Sequence, residues 1–443
     1  MKSVKNIFDD VVTYDNIMKA INKASRGKMY KRQVKKTVKN SYLVAKELYD
    51  QLTKGTWEPI YTHTGRMIGL DSSSKPRLVI YPLFAQELVI NHLIVAEVLL
   101  PIFKKSFYQW SCGSVPGKGQ EIMEKYLYRK VKAQIDAGKK IYVAKLDVKK
   151  FFNNVNVEAL KDLLHKKIHD KRVTDIIDKI LAANKVIQMD NSIFDQGLPM
   201  GYYTSPWFAN IILNKVDHVI KDKHRVDIYA RFMDDMILFD TNKRKLKKAI
   251  EAVQEVLAEF GLSLKHEVQV HDFTKTKSVR FTGFQLRLVD RLPRDLPKHR
   301  KGALLKNGAD LYLLPLNGES KPRFYPRRKQ PRYSLIVKVH GPVFLRGRRQ
   351  ATRMAKRIDN HGRVTAHQAQ QMMSYFGRFK AFHSRYAFYT QYCKSGKISP
   401  FILRRKISMH AKDKAGKLPP KDIEDSALQK NQPEQKDQSN DHI

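Results

Sequence analysis

Val226-Asp-Ile-Tyr-Ala-Arg-Phe-Met-Asp-Asp-Met-Ile-Leu-Phe239 sets two adjacent acids, Asp234 and Asp235, between two apolar runs. The pattern predicts a β-hairpin with the acids at its tip. Neighbouring carboxylates held between hydrophobic strands are costly unless a cation neutralises them. Upstream, Lys145-Leu-Asp147-Val-Lys-Lys-Phe-Phe152 puts a third acid at the end of an apolar strand predicted over 140–146. One such aspartate alone reads as a turn or cap residue. Three carboxylates converging on Mg²⁺ are what two-metal phosphoryl transfer needs, with ions ~3.5–4 Å apart on the attacking and leaving oxygens. Mg²⁺ takes hard oxygen ligands and keeps part of its water shell, so a few carboxylates and substrate phosphates suffice. Calcium storage calls for a spaced acidic loop, and the sequence has none here.

Between these acids lies Gly197-Leu-Pro-Met-Gly-Tyr-Tyr-Thr-Ser-Pro-Trp-Phe-Ala-Asn210, a Gly- and Pro-rich loop running into a helix. Gly197 and Gly201 allow backbone to approach a ligand closely. Such a loop can press on a base pair without reading its edges. Taken alone it reads equally as an ordinary loop before a helix. The glycines of Cys112 to Gln120 predict a flexible loop near Lys118, without the context of a phosphate-binding loop.

The 443 residues carry a formal net charge of +41 and 42% hydrophobic residues. That is enough apolar material for a real core and more than one domain. So large a charge opposes compaction by self-repulsion and points to a polyanionic partner. Lys and Arg run through almost the whole chain, interleaved with aromatics, which favours nucleic acid over a membrane surface. The two cysteines, Cys112 and Cys393, make neither a disulfide framework nor a zinc site. The N-terminal residues have no apolar signal-peptide core, and the apolar stretch Leu88 to Phe103 is interrupted by Asn91, His92 and Glu97. A soluble, cytoplasmic protein without membrane association is expected.

The periodicities predict an α+β chain, with helices packed on one face of a sheet. Residues 1–60 form a basic helical extension, densest in charge over Lys23 to Lys39. Strands with a turn at Asp71 to Lys75 follow, then a long helix from about Leu83 to Phe103. Further helices are expected at 156–167, 173–183, 208–221 and 243–260, and a strand at 278–288. Residues 291–345 are a basic, Pro- and Gly-rich insertion, 346–404 return to helix, and 405–443 lack the apolar residues to fold.

In this order the segments resemble the reverse-transcriptase family over roughly residues 15 to 290. Lys75-Pro-Arg77 resembles its basic fingers motif, Asp147 to Phe152 motif A, Gly197 to Asn210 motif B, Phe232-Met-Asp-Asp235 motif C, and Phe281-Thr-Gly-Phe284 the primer grip. Five motifs in order are far more specific than any one. The resemblance implies a right-hand polymerase with fingers and palm over 61–290 and a helical thumb over 346–404. It implies RNA-directed DNA synthesis with Asp147, Asp234 and Asp235 as catalytic acids. Two Mg²⁺ ions would be held by these and Val148. Lys75, Arg77, Phe152, Pro199, Met200 and Gly201 would bind the deoxynucleoside triphosphate, with Phe152 excluding a ribose hydroxyl. Phe281, Gly283 and Phe284 would grip the primer. The partners implied are an RNA template, a structured non-coding RNA, the DNA product, and either further copies of the chain or a small accessory protein.

Two positions depart from the family. Motif C opens on Phe232 where Tyr is usual, and motif B carries Met200 where Gln is usual, which implies reduced fidelity. Lys265 aligns only loosely with the lysine of motif D. The chain looks most like bacterial single-protein enzymes, and the insertion favours a defence-associated, antiphage type. The alternatives are an error-prone enzyme of a diversity-generating retroelement, or a maturase of the group II intron kind that binds RNA.

Overall fold

A computed structural model of the chain describes residues 3–29, 31–59, 66–68, 77–79, 81–182, 197–290, 304–307, 310–313, 333–361, 368–369 and 371–375. Lys75, Cys393, most of the insertion and of the expected thumb, and the whole of 405–443 lie outside the described residues.

Among the described residues the expected α+β architecture is present. In chain order the strands are β1 (Arg66–Ile68), β2 (Arg77–Val79), β3 (Tyr142–Asp147), β4 (Ile228–Phe232), β5 (Asp235–Asp240), β6 (His271–Asp272), β7 (Ser278–Phe281), β8 (Phe284–Asp290), β9 (Leu304–Asn307), β10 (Asp310–Leu313) and β11 (Tyr333–Val339). The central antiparallel sheet has the order β4-β5-β3-β6, and a second sheet the order β11-β8-β7. β1–β2 and β9–β10 are separate antiparallel pairs.

Side-chain alternation along each strand divides the central sheet between two cores. Met236 and Leu238 of β5, Tyr229 of β4, and Ala144 and Leu146 of β3 face a large core. That core is filled from the N-terminal helices, the helix after Phe84 and the helix Ser205–His218. Ile237 and Phe239, Ile228 and Ala230, and Val143 face a smaller core built by the helix Gln120–Asp136 with β7, β8 and β11. The sheet is therefore covered on both faces, which differs from the expectation of helices on one. The helix Gln120–Asp136 that covers the second face was not anticipated. Its Met123, Leu127, Val131 and Ile135 recur at helical spacing and are buried.

The helix Phe84–Ser106 is long and apolar enough to cross a membrane, yet 67% of its apolar window is buried inside the protein. Its Glu87, Asn91 and His92 are inside too, where they bind a loop described below. Residues 278–288 form a hairpin, not one strand: Thr282 and Gly283 both take positive φ and turn β7 into β8. β11, from within the 291–345 segment, pairs with β8 along its full length, from Tyr333↔Asp290 to Val339↔Phe284.

Candidate active site

β4 and β5 close on the two residues Met233 and Asp234, with Phe232 paired to Asp235. Met233 has φ 56°. A positive φ at the first of two turn residues suits hairpin twist but is normally given to glycine. On its other side β5 pairs with β3 in the register Asp147↔Asp235. The third acid of the sequence pattern thus lies directly across from the second, on the same sheet face as Lys145.

Two lysines serve these carboxylates. Lys265 Nζ lies 2.8 Å from Asp147 Oδ2, and its backbone N–H donates to Asp147 O. Lys145 Nζ lies 3.7 Å from Asp235 Oδ1. Burial raises the Asp235 carboxyl above the ordinary range; Lys145 opposes the shift and the Asp147 charge adds to it. The Lys265 ammonium is held above its usual value first by its hydrogen bond to Asp147, with Asp235 and Asp234 adding to the effect. Lys265 is brought to Asp147 because Ser263 to Lys265 run beside the end of β3, through Lys149 N–H to Ser263 O and the bridge Val148↔Leu264.

This donor set fits Mg²⁺: hard carboxylate oxygens, partly exposed, repelling one another and drawing ammonium groups onto themselves. No three His, Cys, Asp or Glu side chains among the described residues close into a ready metal cage. The arrangement is an open one, of the kind completed by water and substrate phosphate.

The turn is fastened from behind. Arg231, fully buried in β4, makes a two-pronged ion pair with Asp217 of the helix Ser205–His218, through Nε at 2.8 Å and Nη2 at 2.7 Å. Tyr229 OH donates to the same carboxylate at 2.6 Å. Arg231 Nη1 donates to Asn210 Oδ1 at 2.8 Å and to Met233 O at 3.2 Å, so it reaches the turn between β4 and β5 itself. Asn210 Nδ2 in turn donates to Gly113 O. The stretch expected as a flexible loop is pinned here instead. Arg231 N–H donates to Trp110 O, Cys112 N–H donates to Arg231 O, and Ser111 bridges β4 as an added edge. Gly113 packs so closely that an added Cβ would fall 2.5 Å from the Met233 nitrogen.

The loop of motif B is anchored at both ends. Gly197 (φ 107°) donates to Val155 O and Leu198 to Phe152 O; a Cβ at Gly197 would meet Phe152 O at 2.8 Å. Past the loop, three consecutive residues are held by the helix after Phe84. Tyr202 OH donates to Glu87, Tyr203 stacks on His92 with centroids 3.8 Å apart, and Thr204 Oγ1 donates to Asn91 at 2.6 Å. Burial pushes His92 down to about 4, helped by Lys28 and Lys23, so the ring is neutral at pH 7. Between these anchors Pro199 is buried, Met200 half-buried and Gly201 exposed with φ 120°.

The expected nucleotide and primer residues fall out unequally. Phe151 is buried in the core while Phe152 is half-buried beside it, rings edge to face at 5.5 Å. Replacing Phe152 by Ala is expected to raise ribonucleotide use relative to deoxyribonucleotide. Competing both substrates in one extension reaction measures this, and unchanged discrimination removes the steric role. Arg77 opens β2. Phe281 and Phe284 are buried, edge to face at 5.9 Å, in the smaller core. Thr282 and Gly283 form the turn between them, with Gly283 at φ 88°. Gln120 donates to Thr282 O and His340 N–H to Gly283 O, holding that turn.

Asp147 and Asp235 thus pair across antiparallel strands, with Asp234 at the adjoining turn. Residues 86–286 match the family of reverse transcriptases (RNA-dependent DNA polymerases). The chain is 25% identical to protein YkfC of Escherichia coli K12 over 183 residues, 40% of this chain and 45% of that protein. It is 24% identical to the retron Ec86 reverse transcriptase of Escherichia coli over 123 residues, 27% of this chain and 35% of that protein. Each match thus spans less than half of the relative. Among solved structures, telomerase of Candida albicans with a fragment of telomeric RNA aligns at TM-score 0.37 and 12% identity, over 55% of this chain and 47% of that one. Apo telomerase of Candida tropicalis aligns at 0.39 and 14%, over 57% and 51%.

Proposed function

We propose that the protein is an RNA-directed DNA polymerase that works with a structured non-coding RNA in antiphage defence. The observation that carries the catalytic part is the register Asp147↔Asp235 with Asp234 at the adjoining turn. In the reaction a primer 3′ oxygen attacks the α-phosphorus of a deoxynucleoside triphosphate, and the bond to pyrophosphate breaks. Asp147, Asp234 and Asp235, with the Val148 carbonyl, would hold two Mg²⁺ ions. When bound, these stabilise the attacking and leaving oxygens. The loop 197–201 supports the nascent base pair, and Phe152 lies beside it against the sugar. Lys75 and Arg77 of the fingers supply cationic contacts to the triphosphate, Arg by a bidentate grip. Primer extension on an RNA template by purified protein, with and without a chelator of divalent cations, tests this reading.

The +41 charge exceeds what a primer–template duplex requires and supports a dedicated RNA. Its contacts fall on Lys23 to Lys39 and on the basic stretch Arg287 to Arg353. Met200 in place of a hydrogen-bonding Gln suits a product that need not be a faithful genome copy. Cells carrying the locus are expected to resist phage with the wild-type protein and to lose resistance with Asp235→Ala. Protection that persists in the variant separates defence from polymerisation. Adenine-directed changes in a neighbouring repeat, without protection, assign the protein to a mutagenic retroelement.

A further inference from the structure

Lys35, Lys39, Tyr42, Lys46 and Tyr49 recur at spacings of four, three, four and three residues, and every one is exposed. They span two consecutive helices, Arg32–Lys39 and Ser41–Thr53, broken only at Asn40. Within each helix that spacing keeps the residues on one side, Lys35 and Lys39 in the first and Tyr42, Lys46 and Tyr49 in the second. Val34, Thr37, Ala45, Leu48 and Leu52 of the same helices are buried, so both helices are firmly seated, and the five exposed residues flank that buried side.

Their chemistry alternates cation and aromatic ring. Tyr42 is 65% exposed and Tyr49 37%. Tyr14 meets the Tyr42 ring edge-on, with centroids 5.3 Å apart, and its hydroxyl donates to Tyr42 O. The edge contact orients the ring and leaves most of it open to solvent. None of Lys35, Lys39 and Lys46 has a carboxylate partner among the described residues. At ~1.5 Å per residue Tyr42 and Tyr49 stand roughly 10 Å apart along one helix. Unpaired nucleotides present flat bases and a charged backbone at alternate positions, and proteins bind them with stacking rings between cations. A second copy of this chain would bring the same positive charges against these lysines.

We propose that this surface binds an unpaired segment of RNA, with bases stacked on Tyr42 and Tyr49 and phosphates on Lys35, Lys39 and Lys46. The proposal deepens the reading that the protein carries a dedicated RNA, and adds to the Lys23 to Lys39 stretch a base-binding surface beyond it.

Binding is measured on Asp235→Ala protein, so that the result does not depend on catalysis. The probe is a fluorescent single-stranded RNA of mixed sequence, titrated at several salt concentrations. Tyr42→Ala with Tyr49→Ala is expected to weaken binding about tenfold or more, from the loss of two stacking platforms. Tyr42→Phe with Tyr49→Phe keeps the rings and should restore it. Replacing the three lysines by Gln should flatten the salt slope by about 0.7 per lysine, roughly 2 in all. The tyrosine variants should leave the slope unchanged. Full affinity in folded Tyr42→Ala, Tyr49→Ala protein overturns the proposal. So does the same variant changing only sedimentation from dimer to monomer, which would make the face a self-association surface. A protein that fails to polymerise at all but responds this way to the tyrosines keeps the surface and loses only the polymerase reading.

Discussion

Asp147→Asn and Asp235→Asn are each expected to lower nucleotide incorporation by about 10³-fold or more while leaving RNA affinity within a factor of a few. Asn keeps the shape of Asp and removes the charge. The two carboxylates face each other across β3 and β5, and each now carries a lysine, Lys265 and Lys145. On the proposed mechanism, neutralising one removes a hard anionic ligand where two divalent cations would share few protein donors. It also releases a lysine onto the remaining acid, so the cation demand of the site drops twice over. Binding of RNA rests on dispersed positive charge and should not fall with one acid lost. Single-turnover incorporation beside filter binding separates the two. Parallel losses of binding and incorporation would place these acids in the scaffold.

The second large effect is expected at Arg231. Its guanidinium is fully buried, uses Nε and Nη2 on Asp217, and gives Nη1 to Asn210 and to the Met233 carbonyl. Met233 holds a positive φ that a β-hairpin normally reserves for glycine, so its peptide needs outside support. Arg231→Lys keeps one positive charge against Asp217 and loses the fork that reaches the turn. We expect kcat to fall roughly a hundredfold, as for an ångström-scale misplacement of catalytic groups. The Mg²⁺ concentration for half-maximal rate should rise, with KM for nucleotide little changed. Arg231→Met strands the Asp217 carboxylate and should cost about 3–5 kcal/mol of stability. Asn210→Ala tests the same link without disturbing the ion pair, and should shift the Mg²⁺ requirement in the same direction by less. A lower melting temperature with unaltered kcat and Mg²⁺ dependence in Arg231→Lys would limit this residue to packing.

The acids were legible in the sequence because local pattern decides them. Asp234 and Asp235 interrupt two apolar runs at a spacing only a hairpin satisfies, and Asp147 ends an apolar strand. Their mutual register was not legible, since β3 and β5 are joined by nothing local. The same limit hid Lys265 as a partner of Asp147: 118 residues separate them, and the link depends on how Ser263 to Lys265 lie along the end of β3. Arg231 did carry a signal. A guanidinium inside the apolar run Ile228–Phe232 must find an anion or be expelled, and Asp217 on the preceding helix is that anion. The stretch around Gly113 was misjudged because its glycines read as freedom, whereas Gly113 is there for the contact with Met233. Phe281 and Phe284, which the resemblance gives to the primer grip, bury their rings in the smaller core on either side of the turn, and that burial depends on long-range packing.

The most direct measurement is extension of a labelled primer on a heteropolymeric RNA template by purified wild-type protein and by Asp234→Ala, side by side with Mg²⁺. The expected result is product complementary to the template from deoxynucleotides with the wild type, and none with the variant. Equal synthesis by both proteins would contradict the assignment of the turn between β4 and β5 as the catalytic centre.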